Sequence, residues 1–221
     1  MTRFFNALSN FFEIYGDMFF NAIQKHLIYV LVSVAVGFVL GLVFGILLSR
    51  APQLSAITLP LISVFQTIPG IVFIGILFLY TGMKPITVLI ALSIYAMFPV
   101  LKNTYTGILE VEPKYIEAAK GCGMSSFQTL VRVELPLAMP VIISGLRMAA
   151  IYTVSWAVLA SMIGLGGLGD FIYAGLSSND NALILLGAIP AALLAFALGT
   201  LVDLLQHRTV PKGLRKGGPA A

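Results

Sequence analysis

From Leu27 to Ser49 the chain carries no charged side chain at all. A helix needs about 20 predominantly apolar residues to cross roughly 30 Å of hydrocarbon, so a run of this length and purity reads as a transmembrane helix. Four further stretches qualify: about Ala56 to Tyr80, Ile86 to Leu101, Leu137 to Ile163 interrupted by Arg147, and Leu183 to about Leu205 with Asp203 near its end. The third is short for a full span. The expected fold is therefore an all-α membrane protein with about five transmembrane helices. Composition agrees, since only 10% of the 221 residues are charged, against about 25% in soluble domains. Lipid must be the main solvent.

Other classes recede on the same reading. Cys122 is the single cysteine, which excludes an internal disulfide. His26 and His207 lie at opposite ends with no Cys, Asp or Glu at ligand spacing, so no metal site is expected. The net charge of +4 is scattered rather than striped along one element, which argues against nucleic acid. No paired carboxylates or nucleophile–base pair stand at catalytic spacing, so a membrane-embedded enzyme is disfavoured.

The chain divides into three stretches. In residues 1–25, Asn6, Asn10, Glu13, Asp17, Asn21 and Gln24 form a polar stripe opposite Phe4, Leu8, Phe11, Tyr15, Met18 and Phe19. This pattern predicts an amphipathic helix in the membrane interface. Acidic residues interrupt it and no small-residue cleavage site follows, so it does not read as a signal peptide. Residues 26–206 form the membrane domain, with a polar loop at about 102–136, and residues 207–221 form a basic tail. If that loop is cytoplasmic, Arg50, Lys102, Lys114, Lys120, Arg132, Arg208, Lys212, Arg215 and Lys216 all lie inside. Only Arg3, Lys25 and Lys84 then lie outside, as the positive-inside rule favours. The N-terminus is expected outside and the C-terminus in the cytoplasm.

Within the first span, Gly37, Gly41 and Gly45 recur every four residues, flanked by Ser33 and Ser49. Small residues at this spacing let helix backbones approach closely in lipid. The stripe serves packing inside one subunit, the commoner case, or a contact between subunits. Pro60, Pro69, Pro99, Pro140 and Pro190 fall inside spans, where each removes a backbone donor and kinks its helix.

The loop carries the most information. Pro113 is placed to open a helix. Tyr115, Ala118, Ala119 and Cys122 then follow at i, i+3, i+4 and i+7, making a narrow face of mostly small side chains suited to a groove on another protein. Gly121 and Gly123 end that helix. Ser125 with Gln128 predicts a capping box that starts a second helix, running to Pro136. Two short helices joined by a glycine turn are expected outside the bilayer.

Glu117-Ala118-Ala119, Gly123 and Val133-Glu134-Leu135-Pro136 stand in the order and spacing that resembles the EAA signature of ABC importer permeases, with Val133 where Ile is usual. Gln66-Thr67-Ile68-Pro69, Lys102-Asn103-Thr104-Tyr105-Thr106-Gly107 and Gly166-Gly167-Leu168-Gly169-Asp170 add a likeness to the osmoprotectant branch, over roughly residues 22 to 206. The resemblance implies the type I importer permease fold. It implies that Glu117, Ala118, Ala119, Gly123, Leu135 and Pro136 belong to a coupling loop that docks on an ATPase subunit working as a dimer. It also implies an extracytoplasmic substrate-binding protein and a second permease subunit, identical or a paralogue. The expected cargo is glycine betaine, carnitine, choline or proline, with another small solute such as an amino acid as the alternative. An ion-driven secondary transporter would show inverted repeats, and none is evident.

Gly164 to Gly169 satisfies G-x-G-x-x-G, but a transmembrane stretch precedes it and Ile189 stands where an acidic residue should follow. It reads as a flexible outer loop. No G-x-x-x-x-G-K-[ST] occurs, so no cofactor is expected on this chain, with ATP and Mg on the partner ATPase. Arg147 is costly in lipid and should pair, with Asp203 the first choice. Tyr152 and Trp156, one turn apart, are candidates to line a substrate pathway, because aromatic faces attract quaternary ammonium groups. Simple aromatic packing is the commoner role for such a pair.

Overall fold

A computed structural model describes the backbone of residues 2–209 and the side chains of 15–208. Every regular element among them is helical. Helix α1, Thr2–Ser49, is unbroken over 48 residues, about 72 Å at 1.5 Å per residue. The expected interfacial helix and the first span are therefore one rod, with no turn at the 25/26 boundary. The stripe residues Asn6, Asn10 and Glu13, with Phe4, Leu8 and Phe11 opposite, have side chains outside the described residues, as has the basic tail from Val210 onward. Further along α1, Phe19 and Ala22 pack on Leu168 and Phe171, so this part docks on protein rather than only on the interface.

The second expected span is two helices, α2 (Pro52–Phe65) and α3 (Gly70–Thr81), bent by 95°. Neither is long enough to cross alone; together they form one broken element. The cause lies in Pro69, which has no N–H for the Phe65 carbonyl and disfavours helical geometry at Ile68. The turn closes with short-range bonds, Thr67 N to Val64 O at 3.0 Å and Ile68 N to Phe65 O at 3.1 Å. The Ile68 carbonyl accepts from Tyr95 Oη at 2.8 Å.

Helix α4, Pro85–Leu109, extends eight residues beyond the expected end at Leu101, carrying Lys102 and Asn103 on the helix instead of in the loop. Helix α5 follows at Pro113–Gly121. The second expected loop helix is the start of the next span. Helix α6 (Ser126–Thr129) passes through a π-helical turn, Leu130–Glu134, directly into α7 (Leu135–Ala157). Pro136 explains the widened turn: its ring would collide with the Arg132 carbonyl, and Leu135 N–H donates five residues back to Leu130. Pro136 thus shapes the helix entry rather than ending a helix.

After a 3₁₀ stretch at Val158–Ile163 comes α8, Gly169–Ser178, which sequence reading missed, and then α9, Asn181–Thr209. The glycine-rich stretch before α8 is packed, not loose. Leu168 is fully buried, Tyr29 Oη donates to Leu165 O at 3.1 Å, and Ser161 Oγ donates to Gly166 O at 3.2 Å. His26 Nε2 donates to Val154 O at 3.1 Å and ties α1 to α7.

Helices α1, α4 and α7 form the heart of the bundle, with Tyr29, Val30, Val88, Leu92, Val154 and Ala157 in one cluster. The glycine stripe meets α4. A Cβ at Gly37 would lie 2.8 Å from Ser93 O, one at Gly41 2.7 Å from Met97 O, and one at Gly45 2.9 Å from Leu101 O. Close backbone approach inside the subunit is thus what these positions provide. The outward faces carry large apolar residues such as Leu185, Ile189, Leu193 and Phe196 on α9, as a lipid-facing helix should.

Candidate functional site

Two places gather the residues singled out from sequence. The first is the loop around α5. Glu112 precedes the helix in extended geometry and Pro113 opens it. On α5, Tyr115, Glu117 and Ala118 are exposed, and Cys122 and Gly123 follow exposed in the turn. Ala119 is not part of that face: it is 5% exposed and turned inward, because seating this nine-residue helix against the Ser126–Glu134 stretch takes one of its small residues. Gly123 has φ +76°, and a Cβ there would meet nothing within 4 Å. Glycine is required by the backbone, not by crowding. Lys114 Nζ lies 2.6 Å from Glu112, and that hydrogen bond raises the pKa of the exposed ammonium.

The capping box is formed. Ser125 N donates to Gln128 Oε1 at 2.8 Å, and Gln128 N donates to Ser125 Oγ at 3.3 Å. Ser125→Ala is expected to cost about 1 kcal/mol locally. Hydrogen exchange should then quicken at the Gln128 amide while the bundle core is unchanged.

Leu135 is half-buried and Pro136 exposed at the entry to α7. Beside them Glu134, 3% exposed, pairs with Arg50 at the end of α1. Sequence reading missed this pair, since nothing local links positions so far apart. The expected Arg147–Asp203 pair is present, with Arg147 Nε 2.8 Å from Asp203 Oδ1. Among the described residues no group of three or more His, Cys, Asp or Glu is placed to hold a metal.

The second place is a cavity of about 310 Å³ between α4, α7 and the α2–α3 bend. Tyr152 and Trp156 both line it, joined by Tyr95 and Phe98 from α4. Trp156 stacks on Tyr95 with ring centroids 4.0 Å apart and planes at 29°. Its indole also lies against Gly70, where any Cβ would overlap the ring. The polar lining comes from Gln66, Lys102, Asn103 and Thr153. Asn103 Nδ2 donates to Pro99 O at 2.8 Å and also lines a second, more polar cavity of about 630 Å³ that contains Arg147 and Glu110. Tyr95, Phe98, Lys102 and Asn103 fall at i, i+3, i+7 and i+8 along α4. That periodicity was the available signal for this face.

The chain and its fold have counterparts among known proteins. The family described as the inner membrane component of binding-protein-dependent transport systems matches residues 37–213. The carnitine transport permease protein OpuCB of Listeria monocytogenes is 37% identical over 211 residues, covering 96% of this chain and 97% of that protein. The glycine betaine/carnitine/choline transport system permease protein OpuCB of Bacillus subtilis is 32% identical, covering 95% and 97%. Among solved structures, a chain of the MetNI methionine ABC transporter in inward-facing conformation superposes with a TM-score of 0.82 at 20% identity, over 90% of this chain and 99% of that chain. The fold is that of type I ABC importer permeases. The chain belongs to the family of binding-protein-dependent transport system inner membrane components, the multi-pass permease subunits of ABC importers.

Proposed function

We propose that this permease moves a small osmoprotectant, such as glycine betaine, carnitine, choline or proline, across the cytoplasmic membrane. Relatives named for carnitine, choline and glycine betaine transport that match nearly the whole chain support this over an amino-acid cargo. In this reading the N-terminus lies outside and the tail in the cytoplasm. ATP and Mg are held, and ATP hydrolysed, by a separate ATPase dimer; an extracytoplasmic binding protein delivers cargo, and a second permease, identical or a paralogue, completes the pathway within the lipid.

The observation that carries the mechanism is α5: a short helix with Glu117 and Ala118 exposed, held on a turn that only glycine fits comfortably. The ATPase grips this helix together with the Leu135–Pro136 entry of α7. Ala119 acts from behind by seating the helix against the Ser126–Glu134 stretch. When the ATPase dimer closes, α5 moves as a unit, and α7 follows because the loop continues into it through an unbroken helical stretch. Alternating access of the cavity beside α7 is the result.

The test uses cells that express the complete importer. Glu117→Lys and Gly123→Val should abolish uptake of labelled osmoprotectant while membrane abundance stays unchanged. Undiminished uptake in both variants would overturn the coupling assignment. An importer whose binding protein takes none of the four solutes would overturn the osmoprotectant assignment and leave the permease one standing.

A further inference from the structure

The cavity at the α2–α3 bend has an uneven chemistry. Its lining combines the aromatic rings of Tyr95, Phe98, Tyr152 and Trp156 with the polar side chains of Gln66, Lys102, Asn103 and Thr153. Lys102 is the one charged residue in the lining, and no carboxylate faces it there. Among the described residues it has no acidic partner within ion-pair distance. An ionisable residue on a spanning helix without a partner is costly unless it serves a polar cavity or reaches the interface.

We propose that this cavity is a transient substrate subsite selective for zwitterions that carry both a quaternary ammonium and a carboxylate. The inference rests on the osmoprotectant reading above and narrows it. The ammonium lies against the aromatic rings, whose quadrupoles attract a cation that needs no hydrogen bond. The carboxylate meets the Lys102 ammonium and the Asn103 and Gln66 amides. Tyr95 and Lys102 are seven residues apart, roughly 10 Å along α4. Both line the same cavity, and a lysine side chain is long enough to cover part of that separation. A zwitterion bridges the rings and the lysine. Choline, a cation with a hydroxyl instead of a carboxylate, gains the aromatic rings but faces an uncompensated lysine.

Position fits a pathway. Tyr95 lies about 15 Å along α4 from Pro85, close to the middle of a hydrocarbon core of roughly 30 Å. The volume, about 310 Å³, is at the small end of ligand pockets, which run from roughly 300 to 1,000 Å³. Asn103 opens onto the larger cavity beside Arg147, so a solute released from the aromatic rings has a polar route onward.

The chain contains one tryptophan, Trp156, so its emission reports on this cavity alone. In the purified full chain in lipid nanodiscs, glycine betaine should shift that emission. Choline should need roughly tenfold more to do the same, and so should 3,3-dimethylbutanoate, which keeps the carboxylate but has carbon in place of nitrogen. Lys102→Gln should bring the betaine and choline midpoints together. In the complete importer the same variant should lower the ratio of betaine to choline uptake relative to the unmodified importer, with the binding protein held constant. A lysine that merely reaches to the membrane edge predicts neither change. If betaine leaves the emission unaltered, or Lys102→Gln leaves both preferences intact, the subsite is overturned. Uptake of betaine by the importer in that case would keep the osmoprotectant function standing; uptake of none of the four solutes would remove that function itself.

Discussion

Gly41→Leu is expected to leave the chain in the membrane and unseat α1 from α4. Even the first atom of the new side chain would lie 2.7 Å from the Met97 carbonyl oxygen and 2.7 Å from Val100 Cβ. A flexible side chain could yield, but a backbone carbonyl held in a helix ladder cannot. Forcing extra atoms into a packed core typically costs 1–3 kcal/mol, and here the partner is backbone, so a loss of about 3 kcal/mol or more is expected. Gly75 provides the contrast. It is also helical, but a Cβ there meets nothing within 4 Å, so Gly75→Ala should be neutral or gain about 0.5–1 kcal/mol from helix propensity. Unfolding of the purified variants in mixed detergent–SDS micelles reads both. Equal midpoints for Gly41→Leu and the unmodified chain would show that the stripe does not hold α1 on α4.

That contrast also illustrates how far sequence reading reaches. The spans α1, α4, α7 and α9 were legible because lipid demands long apolar runs, and few soluble elements imitate them. The stripe at Gly37, Gly41 and Gly45 was legible as a packing face, but its partner was not, since nothing in a small residue names the helix it meets. The bend after Phe65 was written in Pro69 and Gly70. It was read through because the apolar run continues across it, and hydropathy is blind to direction. Helix α8 is hidden for the opposite reason: ten residues, two of them glycines, offer too little apolar signal. At the loop, Pro113, Ser125 and Gln128 encode local geometry, and the helix start and capping box they predict are present. Ala119 lies on the inward side of α5, because a face of small residues suits an internal contact as well as an external one. The grouping of Tyr95, Lys102 and Asn103 with Trp156 depends on how α4 and α7 are rotated against each other, which is a tertiary fact.

The same limit applies to the ion pair between Arg50 and Glu134, and it leads to an asymmetric prediction. Glu134 is nearly sealed, its side chain 4% exposed, whereas the Arg50 side chain is 49% exposed. Removing one partner of a buried pair costs mainly through the charge left behind. Arg50→Ala strands a carboxylate in the protein and should cost about 2 kcal/mol or more. Glu134→Gln leaves an amide that can still accept from the arginine, which itself reaches water; its cost should stay below about 1 kcal/mol. The double variant, with no buried charge left, should recover most of what Arg50→Ala alone loses. Function should follow a different order. The pair joins the end of α1 to the π-helical turn through which α5 connects to α7, so any variant that frees this joint lets α5 move without carrying the bundle. Transport driven by ATP should therefore fall in both Arg50→Ala and the double variant, even though the second is restored in stability. Recovery of uptake together with stability in the double variant would mean that the pair holds the fold only, and that the loop passes its motion to α7 without α1.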